Sequence, residues 1–392
     1  MDFLAKPEHR LTRSAHALVE EMLSESRLIA ARDQFAAIAQ GIPSISALST
    51  TPQTAPRHCE GPFVADHIVR AFVAIDAIVE GGSMRNCEDI ATDPVLSLAL
   101  LDAEDAIRDY PDAFRAFVVM HNIAKPDRLL LVANAGSAGE KEGFVRSNRR
   151  SDEYSTSSEL HRYDKMRRAH NGDNTSWFAE SGIVAIYDDA DRAVIAPQYA
   201  EIRAAIIRCF DLEYAYEKFI AELCWSHDDV EEFFATPGNE SEFGVFAARA
   251  GKAGLNVEKF LDALLAIALI DHGVGRLNLV NDRAQTDLGI FHRFVSAEHA
   301  AMPERFAARE ARQAHARKLR IKAILGDSGL APEAIFALLK TPIGPERGVV
   351  MEHVYQVIRG ESKGEVFADH TEHLRECAHR AQKLLAAEGL SV

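Results

Sequence analysis

The chain has 392 residues, 47% of them hydrophobic and 26% charged, a globular composition able to bury a sizeable core. Its 44 Lys and Arg stand against 59 Asp and Glu, and the formal net charge of −15 repels nucleic acid and anionic lipid unless positive charge is concentrated locally. The opening MDFLAKPEHR has no apolar core segment of a secretory leader, the longest purely apolar run (Leu264 to Ile270) is far too short to span a bilayer, and five scattered cysteines without a C-x-x-C pair read as reduced thiols; a cytoplasmic protein with no membrane association is expected.

Apolar residues recur at spacings of three and four over most of the chain, and this predicts an all-α protein with small irregular insertions. An amphipathic segment over about 10–40 ends at the turn-forming stretch Gly41 to Pro56, a boundary that sets off an N-terminal helical segment, 1–50. Helices over about 62–80, 93–109, 111–122, 199–210, 212–234, 240–251 and 256–272 make one bundle, 55–281, with a polar loop insertion at about 134–160. Two β-favouring runs flank an acidic turn in 182–196 and predict a small hairpin. A third region, 282–392, holds a charged helix over about 303–325 and shorter helices after it. That helix is basic from Arg305 to Lys322, but Glu304 and Glu310 lie among the cations and no aromatic ladder accompanies them, so a solvated or partner-facing helix is expected rather than a nucleic-acid site.

The polar residues that interrupt the apolar stripes carry the chemistry. His67 lies within the stripe Val64, Ile68, Ala71, Phe72, Ile75 and Val79. Phe114, Phe117 and Val118 lead to His121; Phe219, Ile220, Leu223 and Cys224 lead to His227; Leu264, Ile267 and Ala268 lead to Asp271. Four titratable residues thus point inward from four helices. A buried imidazole or carboxylate without a partner costs several kcal/mol, on the order of the loss of a hydrogen-bonded charge, so such groups are paired, hydrogen-bonded or bound to metal. Taken alone, an inward histidine reads first as a hydrogen-bonded core residue, and Asp271 reads equally as a helix-end carboxylate bonded to backbone or Arg276; the four together point to a shared site. A mixed imidazole–carboxylate set suits zinc, iron or manganese.

The string from His58 through Glu60 and Asp66 to His67 resembles the first histidine helix of HD-domain phosphohydrolases, particularly the branch related to the helical domain of tRNA nucleotidyltransferases. His121-Asn122-Ile-Ala-Lys125-Pro126 is similar to that family's doublet His-Asp-Ile-Gly-Lys-Pro, and Asp271 to its terminal aspartate. The resemblance covers about 55–280 and implies an HD-like helical bundle with extra N- and C-terminal helices. It further implies His67, His121 and Asp271 as ligands of a divalent metal (Mn, Fe, Zn or Mg), residue 122 as the bridging position of two-metal members, and His227 and His161 as further ligand candidates. Asn122 departs from the pattern, as a natural loss or a deliberate change. An amide presents one neutral oxygen and a non-coordinating NH2 where a carboxylate can bridge two cations. A single-metal site, a weakly metallated one or a silent scaffold is then expected.

The implied activity is hydrolysis of a phosphate ester of a nucleotide or other phosphorylated small molecule. Lys125, following the doublet, is placed by the resemblance to reach substrate phosphate, with Asn122 beside the reacting centre. Arg146, Arg149, Arg150 and Lys165 belong to a locally basic stretch, 141–170, that reads either as a phosphate-gripping lid or as a solvated surface. Asp66 and Glu60 are open both as proton-transfer aids and as helix-start acids. A di-iron oxygenase of the same fold and a catalytically silent nucleotide- or partner-binding protein are the alternatives, and a homo-oligomer is left open. No phosphate-cradling glycine loop, G-x-S-x-G elbow or H-E-x-x-H is present.

Overall fold

The computed structural model describes residues 12–51, 53, 58–123, 201–235, 237–238, 240–280, 283–361 and 370–392. It is mostly helical, with one small two-stranded antiparallel sheet. The chain divides into two compact units, Arg10–Phe306 and Ala307–Val392. The division falls downstream of 281, and the segment read as a separate 1–50 piece belongs, over its described residues, to the larger unit.

In that unit the amphipathic segment read over 10–40 forms two helices, α1 (Ala15–Met22) and α2 (Glu25–Gly41). Ser14 and Ser24 explain the break: each hydroxyl accepts a backbone N–H three residues on, from Ala17 at 3.3 Å and Arg27 at 3.4 Å, so a new helix starts at each. The turn-rich stretch after Gly41 is itself partly helical. Pro43 occupies the first turn of α3 (Pro43–Ala47), where its missing N–H costs nothing, and Ile45 and Leu48 enter the core.

Helix α4 (Val64–Val79) is buried over most of its circumference, as its apolar composition requires. It packs against α2, α6 (Pro94–Asp109) and α7 (Pro111–Met120); the short α5 (Glu88–Ala91) precedes α6. Asp93 caps α6 by accepting the Val95 and Leu96 amides at 2.8 and 3.2 Å. Residues 201–209 are helical, followed by α8 (Ala215–Phe234), α9 (Gly244–Ala253) and α10 (Val257–Leu269). Helix α10 is the second central rod, packed on α6, α8 and α9.

Beyond α10 the chain makes one π-helical turn, Ile270–Val274, closed by the Gly275 amide on the Ile270 carbonyl at 2.6 Å. The sheet follows, β1 (Asn278–Val280) against β2 (Arg283–Gln285), with Asn278 opposite Gln285. The hairpin expected over 182–196 lies outside the described residues. Helix α11 (Gly289–Ala301) completes the unit, and α12 (Pro303–Asp327) runs on into the second. The smaller unit has its own core, where Ile324, Leu330, Val354, Ile358, Leu374 and Leu385 meet from α12, α14 (Glu346–Arg359), α15 (Thr371–Ala387) and the turn before α13 (Pro332–Leu338). No described helix is long and apolar enough to cross a membrane.

Candidate metal centre

The four inward residues come together. His67 projects from the first turn of α4, His121 follows the last residue of α7, His227 lies in α8, and Asp271 sits in the π turn after α10; all are buried. Asp271 is the hub. Its Oδ1 is 2.9 Å from His67 Nε2 and 3.5 Å from His121 Nε2, and its Oδ2 is 2.8 Å from His227 Nε2. The rings of Phe117 and His121 stack at 4.8 Å between centroids, and those of His227 and His272 at 4.4 Å.

Backbone carbonyls set which ring nitrogens carry protons. His67 Nδ1 faces the Gly275 carbonyl at 3.1 Å and His121 Nδ1 the Phe117 carbonyl at 3.0 Å, so each donates through Nδ1 and turns Nε2 inward, where His67 Nε2 shares a proton with Asp271 that a cation would displace. Two imidazole Nε2 atoms and a carboxylate oxygen then converge, and three acceptors in a dry pocket repel one another unless a proton or a cation lies among them. Burial alone would raise the Asp271 carboxyl, but His121, His67 and His227 hold it well below the usual carboxylate range. Burial likewise opposes a charge on His67, and Asp271 and Glu60 overcome it and push the ring's proton affinity up. The donor set fits a divalent ion taking mixed nitrogen and oxygen ligands: His67, His121 and Asp271 Oδ1 would hold it, with His227 on the second carboxylate oxygen.

Two further groups of possible ligands share these residues, and the hydrogen bonds separate them. In the group His227, Asp271 and His272, His272 Nδ1 receives Arg276 Nη2 at 3.0 Å while its Nε2 faces the His227 carbonyl at 3.3 Å, so both nitrogens are engaged. Burial, then His227 and Arg276, depress its proton affinity strongly, and it stays neutral. Arg276 is in turn paired with Glu231 at 3.2 Å. In the group His58, Glu60 and His67, the His67 atom beside Glu60 is Nδ1, 3.3 Å away, and it faces the Gly275 carbonyl as well.

Asn122 is fully buried at the end of α7. Its NH2 donates to the Val118 carbonyl at 2.8 Å and lies 3.0 Å from His121 Nε2, while its Oδ1 has no hydrogen-bond partner among the described residues. The atom turned towards His121 is a donor, not a ligand, and the Val118 carbonyl fixes it that way round. Lys125, Arg146, Arg149, Arg150, His161 and Lys165 lie outside the described residues.

Helical periodicity singled out His67, His121, His227 and Asp271 but not His272, Glu231 or the pairing of Arg276 with Glu231. Glu231 is four residues after His227 and therefore on the same face, a signal that was there to be read. His272 had one as well: Leu265, Ala268 and Leu269 stand seven, four and three residues before it, the same spacing that leads to Asp271, in a helix buried on all sides over Ala263–Leu269. Fold and site together define a helical protein with a buried histidine–aspartate centre suited to a cation. No protein-family model, curated protein or solved structure matches the chain.

Proposed function

We propose that the protein is a metal-dependent phosphohydrolase of the HD type, acting on a phosphate ester of a nucleotide or another phosphorylated small molecule. One observation carries this reading: His67 Nε2, His121 Nε2 and Asp271 Oδ1, brought from three separate parts of the chain, converge as three lone-pair donors, with both imidazole tautomers fixed by backbone carbonyls. When bound, a divalent ion supplies an acidified water and polarises a phosphoryl oxygen, nucleophile and electrophile in one place. The protein's part is orientation: the carbonyls of Gly275 and Phe117 hold the two rings, and burial, with Arg276 donating to Nδ1, keeps His272 neutral against the His227 ring. Lys125 and the cations Arg146, Arg149, Arg150 and Lys165 are the candidates for gripping phosphate oxygens and steadying the departing charge.

Elemental analysis of protein purified without chelator, joined to phosphate-release assays over nucleotides and phosphorylated sugars, tests the reading. It expects bound Mn, Fe, Zn or Mg, and hydrolysis that disappears in His121→Ala and on chelation. Metal-free protein that also releases no phosphate when the four ions are supplied rejects it. A silent scaffold is the second reading, and Asn122 favours it: its NH2 approaches the His121 lone pair that a cation needs. That reading expects no metal uptake and ligand binding unaffected by His121→Ala.

A further inference from the structure

The hydrolytic scheme gives no task to the buried carboxylate next to His67. The Glu60 side chain, in the loop before α4, is 1% exposed, and its oxygens collect four donors. Oε1 lies 2.9 Å from His58 Nδ1, 3.2 Å from Gln53 Nε2 and 3.3 Å from His67 Nδ1, and Oε2 accepts the Leu277 amide at 3.1 Å. Around these two oxygens the described residues offer donors, the surroundings that suit an acceptor-only carboxylate. The Cys59 amide donates to the Leu277 carbonyl at 2.9 Å, and this bond with the Glu60–Leu277 bond ties the loop to the segment that follows the π turn. His67 therefore stands between two carboxylates, Asp271 at Nε2 and Glu60 at Nδ1, and the second is itself anchored to the backbone just beyond the Asp271 turn.

We infer that Glu60 is a positioning residue for the metal centre: it fixes the His67 tautomer together with Gly275, strengthens Nε2 as a donor, and keeps α4 in register with the turn that carries Asp271. The inference rests on the metal reading above. An imidazole that donates its other N–H to a carboxylate is a more basic ligand, and loss of such a partner typically weakens metal binding by about 10–100-fold. The Gly275 carbonyl alone can select the tautomer; among the described residues it is Glu60 that adds negative charge at Nδ1.

Equilibrium dialysis of the full chain against Mn2+ and Zn2+, with melting curves of the metal-free and metal-loaded forms, tests this. Wild type is expected to take up metal, and Glu60→Gln, close in shape but uncharged, to bind about 10–100-fold more weakly with a smaller metal-induced rise in Tm. Glu60→Asp, which keeps a carboxylate, recovers part of that affinity. Equal affinity in wild type and Glu60→Gln overturns the inference and leaves the metal reading standing. No uptake by wild type overturns the metal reading and this inference with it. A Glu60→Gln chain whose metal-free form has lost its cooperative transition shows Glu60 to be an element of the fold, and also overturns the inference.

Discussion

His67 Nε2 and Asp271 Oδ1 stand 2.9 Å apart across 204 residues of chain, in side chains 1% and 0% exposed. The contact joins the first turn of α4 to the turn after α10, so it serves both the bundle's closure and the site. Removing the carboxylate leaves the three imidazoles His67, His121 and His227 in a dry pocket without their common partner. Asp271→Ala is expected to abolish metal uptake and to lower the stability of the metal-free protein by about 3–5 kcal/mol, the range for breaking a buried charge pair. Urea denaturation with chelator present measures the second effect apart from the first. A loss under about 1 kcal/mol contradicts the pairing described.

Asn122→Asp runs in opposite directions in the two states. Without metal, the new carboxylate would face the Val118 carbonyl, which now receives the Asn122 NH2 at 2.8 Å, and the unmade hydrogen bond costs about 1–3 kcal/mol. With metal, the same oxygen becomes an additional anionic ligand beside His121. The expected result is a lower Tm than wild type in chelator, a larger rise on adding Mn2+ or Zn2+, and higher metal content and hydrolytic rate. Equal metal content and equal inactivity in both forms count against the ligand role of position 122.

Gly275 closes the π turn at a place with no room for a side chain. A Cβ there would lie 2.4 Å from the Ile270 carbonyl oxygen and 3.1 Å from the Ala71 Cβ of α4. Gly275→Ala must therefore open the turn or push α4 away, and its carbonyl is the one that receives His67. A destabilisation of about 1–3 kcal/mol, as for other overpacked sites, is expected together with weaker metal binding. Gly251, exposed in α9 with nothing within 4 Å of its notional Cβ, is the contrast. Gly251→Ala should stabilise by about 0.5–1 kcal/mol in the same denaturation assay.

These contrasts show what a one-dimensional reading can and cannot reach. His67, His121, His227 and Asp271 were legible because each continues an apolar stripe at helical spacing, and burial follows from the stripe. His272 follows Leu265, Ala268 and Leu269 at the same spacing, but a helix apolar on every side over Ala263–Ile270 singles out no one face, so its place beside Asp271 emerges only from the fold. Helix boundaries were read well where Pro94 or Pro111 opens a helix and poorly at Ser24, a cap flanked by residues that continue a helical pattern. The three-residue strands of β1 and β2 offer too few residues for a period of two to register, although Asn281-Asp282 between them is a turn signal. The metal, its number and the substrate depend on chemistry that helical spacing does not encode.

Arg305 tests how α12 is anchored within the larger unit. Its guanidinium reaches three carboxylates: Glu298 at 2.8 Å, Asp262 at 2.7 Å, and Glu258. Glu298 is fully buried, so deleting the cation takes an ion-pair partner from a desolvated carboxylate. Arg305→Met should cost about 3–5 kcal/mol, and adding Glu298→Gln should restore a substantial part of it, the two losses failing to add. Arg305→Lys, a single point charge in place of a fork, should fall between. Strictly additive losses in the double variant contradict a direct coupling.

Glu104 gives a pH dependence of definite sign. Buried in α6, it accepts the Met84 amide at 3.0 Å and Arg108 Nη2 at 3.1 Å. Burial outweighs these partners and pushes its carboxyl above the ordinary value of 4.5. The native chain therefore keeps this proton to higher pH than the unfolded chain does. The group's contribution to stability is full below the unfolded value and is lost as pH rises through the native one. Glu104→Gln keeps an acceptor for Met84 and cannot ionise, so its stability relative to wild type should climb as pH passes about 4.5 and level off above the native value. Urea denaturation of the two proteins from about pH 4 to pH 8 measures the difference. A difference that stays flat, or that shrinks with rising pH, means that the Arg108 ion pair prevails over desolvation and that Glu104 is held ionised.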